Sequence, residues 1–418
     1  MRRLLGGLLL LACACGPNPP PPVRVMAIVP GLTGAYEPKE VELKTITSVT
    51  LMEGSIGKLY GGSEIVIDPQ DPLLQSTNLD DAQLEAALLK NLGGDVSASY
   101  IEKDGVLYPA DFHTWNMVST YWNFEKSFEY FQQTYDGAST EKLLGARILY
   151  WVDYQDKQSK PNDPPVLDNA LYFSPVRAFV IVPFKELQKV PLAMNLGVIG
   201  HEYAHRVFNL KAYGGKSIPD SINSWQLAPF NILKALDEGL ADFHGYAVTC
   251  AGGTGVSCRP NFLGVSVDET TTTARDLSRT DKCMTQTLRD AMNNFTQSQW
   301  LNQGLQYQLG TVIASSLYHA VAKTNATKLG IMSKAVVASY DDPSPTSEGF
   351  YQVINRNLGT ANNFTLELVA NTILSHITDP ELQRATCSEL LDRLQIDRAF
   401  IPACPISAMK GTTCPVLP

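Results

Sequence analysis

Three rhythms of apolar and polar positions succeed one another along the chain. Arg2 and Arg3 precede an apolar run from Leu4 to Leu11, closed by the small residues Ala12 and Ala14 around Cys13. From residue 24 to about 76, β-branched positions broken by Gly and Pro predict strands at Val41–Leu51 and Glu64–Ile67. Asn78 can cap a helix running through Lys90 that Gly93-Gly94 stops. Trp115, Val118, Tyr121, Trp122 and Phe128 recur mostly on one face of a longer helix, about Phe112 to Tyr135, and that aromatic stripe is expected in the core. Ala146–Val152 and Ala178–Val182 are apolar runs of strand length on either side of a polar, Pro-rich loop. From about Pro191 the pattern is helical almost to the end, so the fold class expected is α+β.

The first rhythm is an address. The charged, apolar, small-residue order is that of a secretory signal, and the run falls well short of the roughly 20 residues a spanning helix needs. Leu10-Leu11-Ala12-Cys13 resembles the bacterial lipobox, which makes Cys13 the expected lipidation site; cleavage after Ala14, releasing a secreted protein, is the alternative. Pro17 and Pro19 to Pro22 then form an extended tether. The expected location is outside the cytoplasm, on a bacterial membrane facing the periplasm or the cell surface. The expected segments are a signal peptide (1–12), an anchor and tether (13–23), a β-rich N-terminal module (24–100), a lobe with an edge strand and a metal helix (101–212) and a helical C-terminal lobe (213–418). The net charge of -9 and 18% charged residues over 418 positions offer nothing built to neutralise phosphates, so nucleic acid is not an expected partner. The membrane is expected to be held through lipid alone, and the protein is expected to be a monomer.

The informative stretch is His201-Glu202-Tyr203-Ala204-His205. Two His four apart on a helix point the same way and can reach one ion, with the intervening Glu beside the remaining coordination position. A third ligand is offered by Glu238 in Asp237-Glu238-Gly239-Leu240-Ala241-Asp242, and Asp242, one turn on, can accept the free N–H of a ligating imidazole.

With these motifs the sequence resembles the gluzincin metallopeptidases of thermolysin-like and fungalysin-like type, over roughly residues 105 to 395. The resemblance implies a two-lobed zincin domain in which a small mixed sheet and the zinc helix face a mostly helical C-terminal lobe, here with a short β-rich module in front. It implies one catalytic Zn2+ held by His201, His205 and Glu238, Glu202 as general base, and a peptide or protein substrate. Asp168-Asn169-Ala170-Leu-Tyr172-Phe173 is similar to the family's edge strand, which makes Asn169 and Ala170 the expected substrate-binding positions through strand addition. The chain departs from the pattern at Arg206, where Gly is common, and in an insertion around Lys211 to Trp225. The side chain that steadies the oxyanion has only candidates by residue type: His319, His244 and Tyr246. A catalytically inactive zincin-like surface lipoprotein is the competing reading, and a zinc hydrolase acting on a non-peptide bond is a third.

Six cysteines, Cys250, Cys258, Cys283, Cys387, Cys404 and Cys414, would enter an oxidising compartment. Cys250 with Cys258 is the favoured pair because it closes a Gly-rich loop, and Cys404 or Cys414 is expected to be pinned to Cys387 or to the other.

Overall fold

The computed structural model describes residues 21–31, 35–75, 79–135, 137–157, 164–184, 189–217, 225, 227–251, 258–267, 274–340, 349–356, 364–406 and 414–415. The export address with Cys13, most of the Pro tether, Asn78, residues 218–224 of the expected insertion and the Gly-rich loop at 252–257 lie outside them.

The N-terminal half is built from strands β1 (Val23–Pro30), β2 (Tyr36–Leu43), β3 (Ile46–Ser48), β4 (Glu53–Gly54), β5 (Gly57–Gly61), β6 (Glu64–Ile67), β7 (Leu89–Asn91), β8 (Gly94–Asp95), β9 (Tyr100–Lys103), β10 (Val106–Pro109), β11 (Ala146–Tyr150), β12 (Asp153–Asp156), β13 (Ala170–Phe173) and β14 (Ala178–Ile181). One sheet has the order β2-β1-β10-β9, a second β13-β14-β11-β5-β4-β3 with β8 beside β5, and a third β12-β6-β7. Helix α1 (Asp81–Leu88) connects β6 to β7, α2 (Phe112–Thr134) follows β10, and α3 (Leu196–Lys211) and α4 (Leu227–Ala251) carry the two motifs. Beyond α4 the described residues are helical, with Leu305–Thr324 and Pro380–Leu394 the long members. The architecture is therefore α+β, with mixed sheets on one side and a helical lobe on the other.

Three sequence expectations need correction. The strand drawn over Val41–Leu51 is broken after Leu43, because the backbone N–H groups of Lys44 and Thr45 turn away to a buried carboxylate, Glu125 Oε1, at 2.7 and 2.6 Å. The helix drawn through Lys90 ends at Leu88, where cross-strand pairing of Leu89 with Ile65 takes over. The boundary at residue 100 cuts through two sheets. Val25 pairs with Leu107 across it, and β5 runs parallel to β11 over five positions, from Gly57 with Ala146 to Gly61 with Tyr150. Residues 24–100 thus supply inner strands of the sheet that carries the edge strand β13.

Helix α2 is buried on nearly all sides and runs beneath α3, which accounts for its aromatic stripe. Helix α3 begins at Asn195, whose Oδ1 accepts from the N–H groups of Gly197 and Val198 and whose amide donates to Phe262 O at 2.8 Å and Ser266 Oγ at 2.9 Å. Tyr36, at the start of β2, accepts the Leu196 N–H at 3.0 Å, so the N-terminal sheet holds the first turn of the same helix. Glycine is required where α4 meets Leu305–Thr324: a Cβ on Gly239 would stand 2.5 Å from Gly310 O, and one on Gly310 would stand 2.9 Å from Gly239 N. That close approach brings the start of the later helix against Glu238. The pairs Cys250–Cys258, Cys283–Cys414 and Cys387–Cys404 use all six cysteines of the body and tie the C-terminal segment back to the helical lobe. No helix among the described residues is long and apolar enough to cross a membrane.

Candidate metal centre and cleft

Helices α3 and α4 pack so that the motif side chains converge at the floor of a cavity of about 440 Å3. His201 Nε2 and His205 Nε2 are 3.0 Å apart, and Glu238 Oε2 lies 3.4 Å from the first and 3.6 Å from the second. The other nitrogen of each ring faces a carboxylate: His201 Nδ1 is 3.0 Å from Asp242 Oδ1, and His205 Nδ1 is 2.8 Å from Asp237 Oδ1. Those carboxylates hold the ring protons on Nδ1 and turn both Nε2 lone pairs inward.

The donor set fits a divalent cation. Two imidazole lone pairs and the oxygen of Glu238, which is buried and has no hydrogen-bond partner among the described residues, point at one place and cannot satisfy each other without a positive charge between them. Ligands at tetrahedral angles with bonds of 2.0 to 2.1 Å would lie roughly 3.3 Å apart, and the three observed separations bracket that value. Glu202 also falls within a metal-ligating grouping with the two His. Its nearer oxygen is 3.9 Å from His201 Nε2, however, and its Oε2 already accepts the Tyr172 N–H at 2.7 Å. The ligand geometry therefore favours Glu238, and Glu202 stands beside the site with one oxygen held.

The electrostatics without a cation have the same form. Burial pushes both imidazoles down, but the facing carboxylates overcome it and leave His201 raised and His205 raised well above the ordinary range. Glu238 is driven well below the usual carboxylate range despite its burial, chiefly by His205. Burial pushes Glu202 up, as suits a proton acceptor working near neutrality.

Arg275 was not legible in the sequence. Its guanidinium grips Asp242 with Nη2 at 2.5 Å from Oδ1 and Nε at 3.1 Å from Oδ2, and its Cζ lies 4.5 Å from the centre of the Tyr307 ring. A carboxylate held so firmly presents one oxygen to His201 in a fixed direction. Asp242→Asn is expected to weaken metal affinity by roughly 10–100-fold and to lower the melting temperature, since it removes the carboxylate that pairs most closely with the half-buried guanidinium of Arg275. Competition against a chromophoric chelator and a thermal melt would measure both. Asp237, next to Glu238 in the motif, takes the corresponding part for His205.

Ala170 and Asn169 line the cavity, with β13 at the edge of its sheet. Ala170 and Tyr172 share parity on that strand. The Tyr172 N–H points off the sheet edge at Glu202, so the backbone of Ala170 faces the cleft too. Arg206 is buried and donates to the carbonyls of Leu143, Lys142 and Leu144 at 3.0 to 3.2 Å, tying α3 to the segment before β11. The departure from Gly therefore serves packing.

None of the three candidates for the oxyanion donor lines the cavity. His244 is enclosed between Tyr130 Oη at 2.7 Å and Tyr340 Oη at 3.1 Å, Tyr246 packs on Phe243 and Tyr318, and the His319 ring faces Arg279 O at 3.3 Å. All three follow helix faces turned away from the cleft. Tyr213 and Tyr307 are the tyrosines of the C-terminal side that do line it. The negative charge of Glu238 raises the Tyr307 hydroxyl above its ordinary range and keeps it a donor.

His244 also carries a pH prediction. Burial holds it down to about 3 from an ordinary 6.5, so between those values the unfolded chain binds a proton that the folded chain does not. Its contribution is fully present above pH 6.5 and is lost as the pH falls, at about 1.4 kcal/mol per pH unit. Urea midpoints at pH 7 and pH 5 should therefore diverge more in the native chain than in His244→Phe, which has nothing to protonate there.

No family model and no curated protein matches the sequence. Among solved structures, the precursor of protealysin, a metalloproteinase from Serratia proteamaculans, is similar at 15% identity with a TM-score of 0.42, over 84% of this chain and 89% of that chain.

Proposed function

We propose that the protein is a zinc-dependent endopeptidase, exported and held at a bacterial membrane through a lipid on Cys13. The observation that carries the reading is the convergence of His201 Nε2, His205 Nε2 and the unpartnered Glu238 oxygen beside a buried carboxylate, Glu202, on the floor of an open cleft. His201, His205 and Glu238 would hold the zinc, which when bound supplies electrophilic polarisation of a carbonyl and makes water acidic enough to react near neutrality. Glu202 takes the proton of the attacking water and passes it to the leaving amine; the Tyr172 N–H fixes its carboxylate for that work. An extended substrate adds to the free edge of β13 at Asn169 and Ala170, where main-chain pairing tolerates many sequences. Tyr307, protonated and held under Arg275, is placed to donate to the oxygen on which charge develops.

An intact base separates this reading from that of an inactive zincin-like module, because a structural metal site has no use for Glu202. Export is supported by the three disulfides, which suit an oxidising compartment. The test is metal analysis of the purified protein together with a screen of peptide, ester and cell-wall substrates before and after treatment with chelator. Metal-dependent cleavage of peptides alone is expected. A protein that binds no metal, or one that holds it and cleaves only esters or glycans, would overturn the assignment.

A further inference from the structure

Along α3 the residues Val198, His201, His205 and Asn209 mark successive turns, and the cavity changes character from one end of that row to the other. Beside Val198 it is apolar, closed by Leu192, Phe262 and Leu263. Beside Asn209 it is lined by Tyr213 and Lys234. Lys234 lies one turn before Glu238 on α4, with its ammonium 5.9 Å from the Tyr213 ring centre and 6.0 Å from that of Phe230. Among the described residues no carboxylate pairs with it. The nearby acids are already engaged, Asp237 by His205 and Glu238 by the His pair. Tyr213 lines the same cavity and is 5% exposed, and its buried hydroxyl has no hydrogen-bond partner among the described residues. Among the described residues neither the Lys234 ammonium nor the Tyr213 hydroxyl has an acceptor, and both residues line one end of a cleft whose other end is apolar.

We propose that Lys234 and Tyr213 form a subsite for a carboxylate of the substrate, so that the protein selects acidic peptides through the end of the cleft at Asn209. The inference rests on the peptidase reading for the nature of the ligand, but not on turnover for its test. The carboxylate comes either from an Asp or Glu side chain or from a free chain terminus, and both present the same two oxygens to the same two donors.

The experiment uses full-length Glu202→Gln protein loaded with zinc and calorimetric titration with peptides that differ only in carrying Glu, Gln or Lys at each position flanking the cleavable bond, with free or amidated C-termini. At one position the Glu peptide is expected to bind roughly tenfold more tightly than the Gln peptide, as a charge-assisted hydrogen bond allows. That ratio should fall to about one when Lys234→Met is added, and Lys234→Glu should reverse it in favour of the Lys peptide. A preference that persists in amidated peptides assigns the carboxylate to a side chain, and one that follows the free acid assigns it to the terminus. Equal binding of Glu, Gln and free-acid peptides, a ratio that survives Lys234→Met, or no binding of any peptide overturns the proposal. Because ratios are read without hydrolysis, native protein that cleaves nothing would remove the peptidase reading and leave the subsite standing on its own result.

Discussion

Glu202→Gln is expected to lower kcat for peptide hydrolysis by on the order of 10²–10⁴-fold, the range a positioned general base contributes, while the protein keeps its metal and its melting temperature. Gln has nearly the same shape and can still accept the Tyr172 N–H that Glu202 Oε2 accepts at 2.7 Å, so the strand edge and the cleft keep their geometry. The His and Glu238 atoms that converge on the metal position are untouched. What disappears is a carboxylate that burial pushes above its ordinary range and that can both take and return a proton. Its loss should therefore appear in kcat far more than in KM. A purely structural Glu202 would show the opposite pattern, with altered stability and unaltered turnover; steady-state kinetics beside metal analysis and a thermal melt separate the two.

Removal of residues 24–100 is expected to abolish cooperative folding of what remains. Strand β5 lies between β11 and β4 in the sheet whose edge strand faces the cleft, so its loss exposes one side of β11 over five positions. Glu125 would lose the two backbone N–H groups that satisfy its buried Oε1, and the first turn of α3 would lose Tyr36. Val25, Val29, Leu43, Ile46 and Leu59 would leave the core. At about 1.5–3 kcal/mol for each buried side chain, five of them match the roughly 5–15 kcal/mol that holds a typical domain together. The truncated chain should show no sharp thermal transition by circular dichroism and should bind metal weakly. A soluble fragment that melts cooperatively and binds metal as the full chain does would instead identify residues 24–100 as a removable segment.

The parts of the molecule legible in its sequence are those whose signal is local. Four-residue spacing put His201 and His205 on one helix face and Asp242 one turn past Glu238, and periodicity alone outlined α2 to within a residue at its C-terminal end. The parts that escaped depend on long-range pairing. Nothing near Gly57–Gly61 announces a parallel partner almost ninety residues later, so the modest length of the N-terminal segment favours a permanent part of the catalytic lobe without showing which strands it pairs with. Arg275 lies in no periodic pattern, and only the fold brings it to Asp242 and Tyr307. For His244 the local signal was sufficient: two positions past Asp242 it falls on a different helix face, which favours a structural role over a catalytic one, and the fold encloses it between Tyr130 and Tyr340. Lys234 and Tyr213 carry no motif at all; their shared want of an acceptor exists only in three dimensions.

We propose that one zinc ion at His201, His205 and Glu238 makes this chain a peptidase. Its most direct test is to strip the purified protein with a chelator, add zinc back in measured steps and follow cleavage of a peptide mixture by mass spectrometry at each step. No cleavage is expected in the stripped protein, and activity should rise in proportion to zinc and level off at one ion per chain. Cleavage that does not depend on zinc, or none at full occupancy, would contradict it.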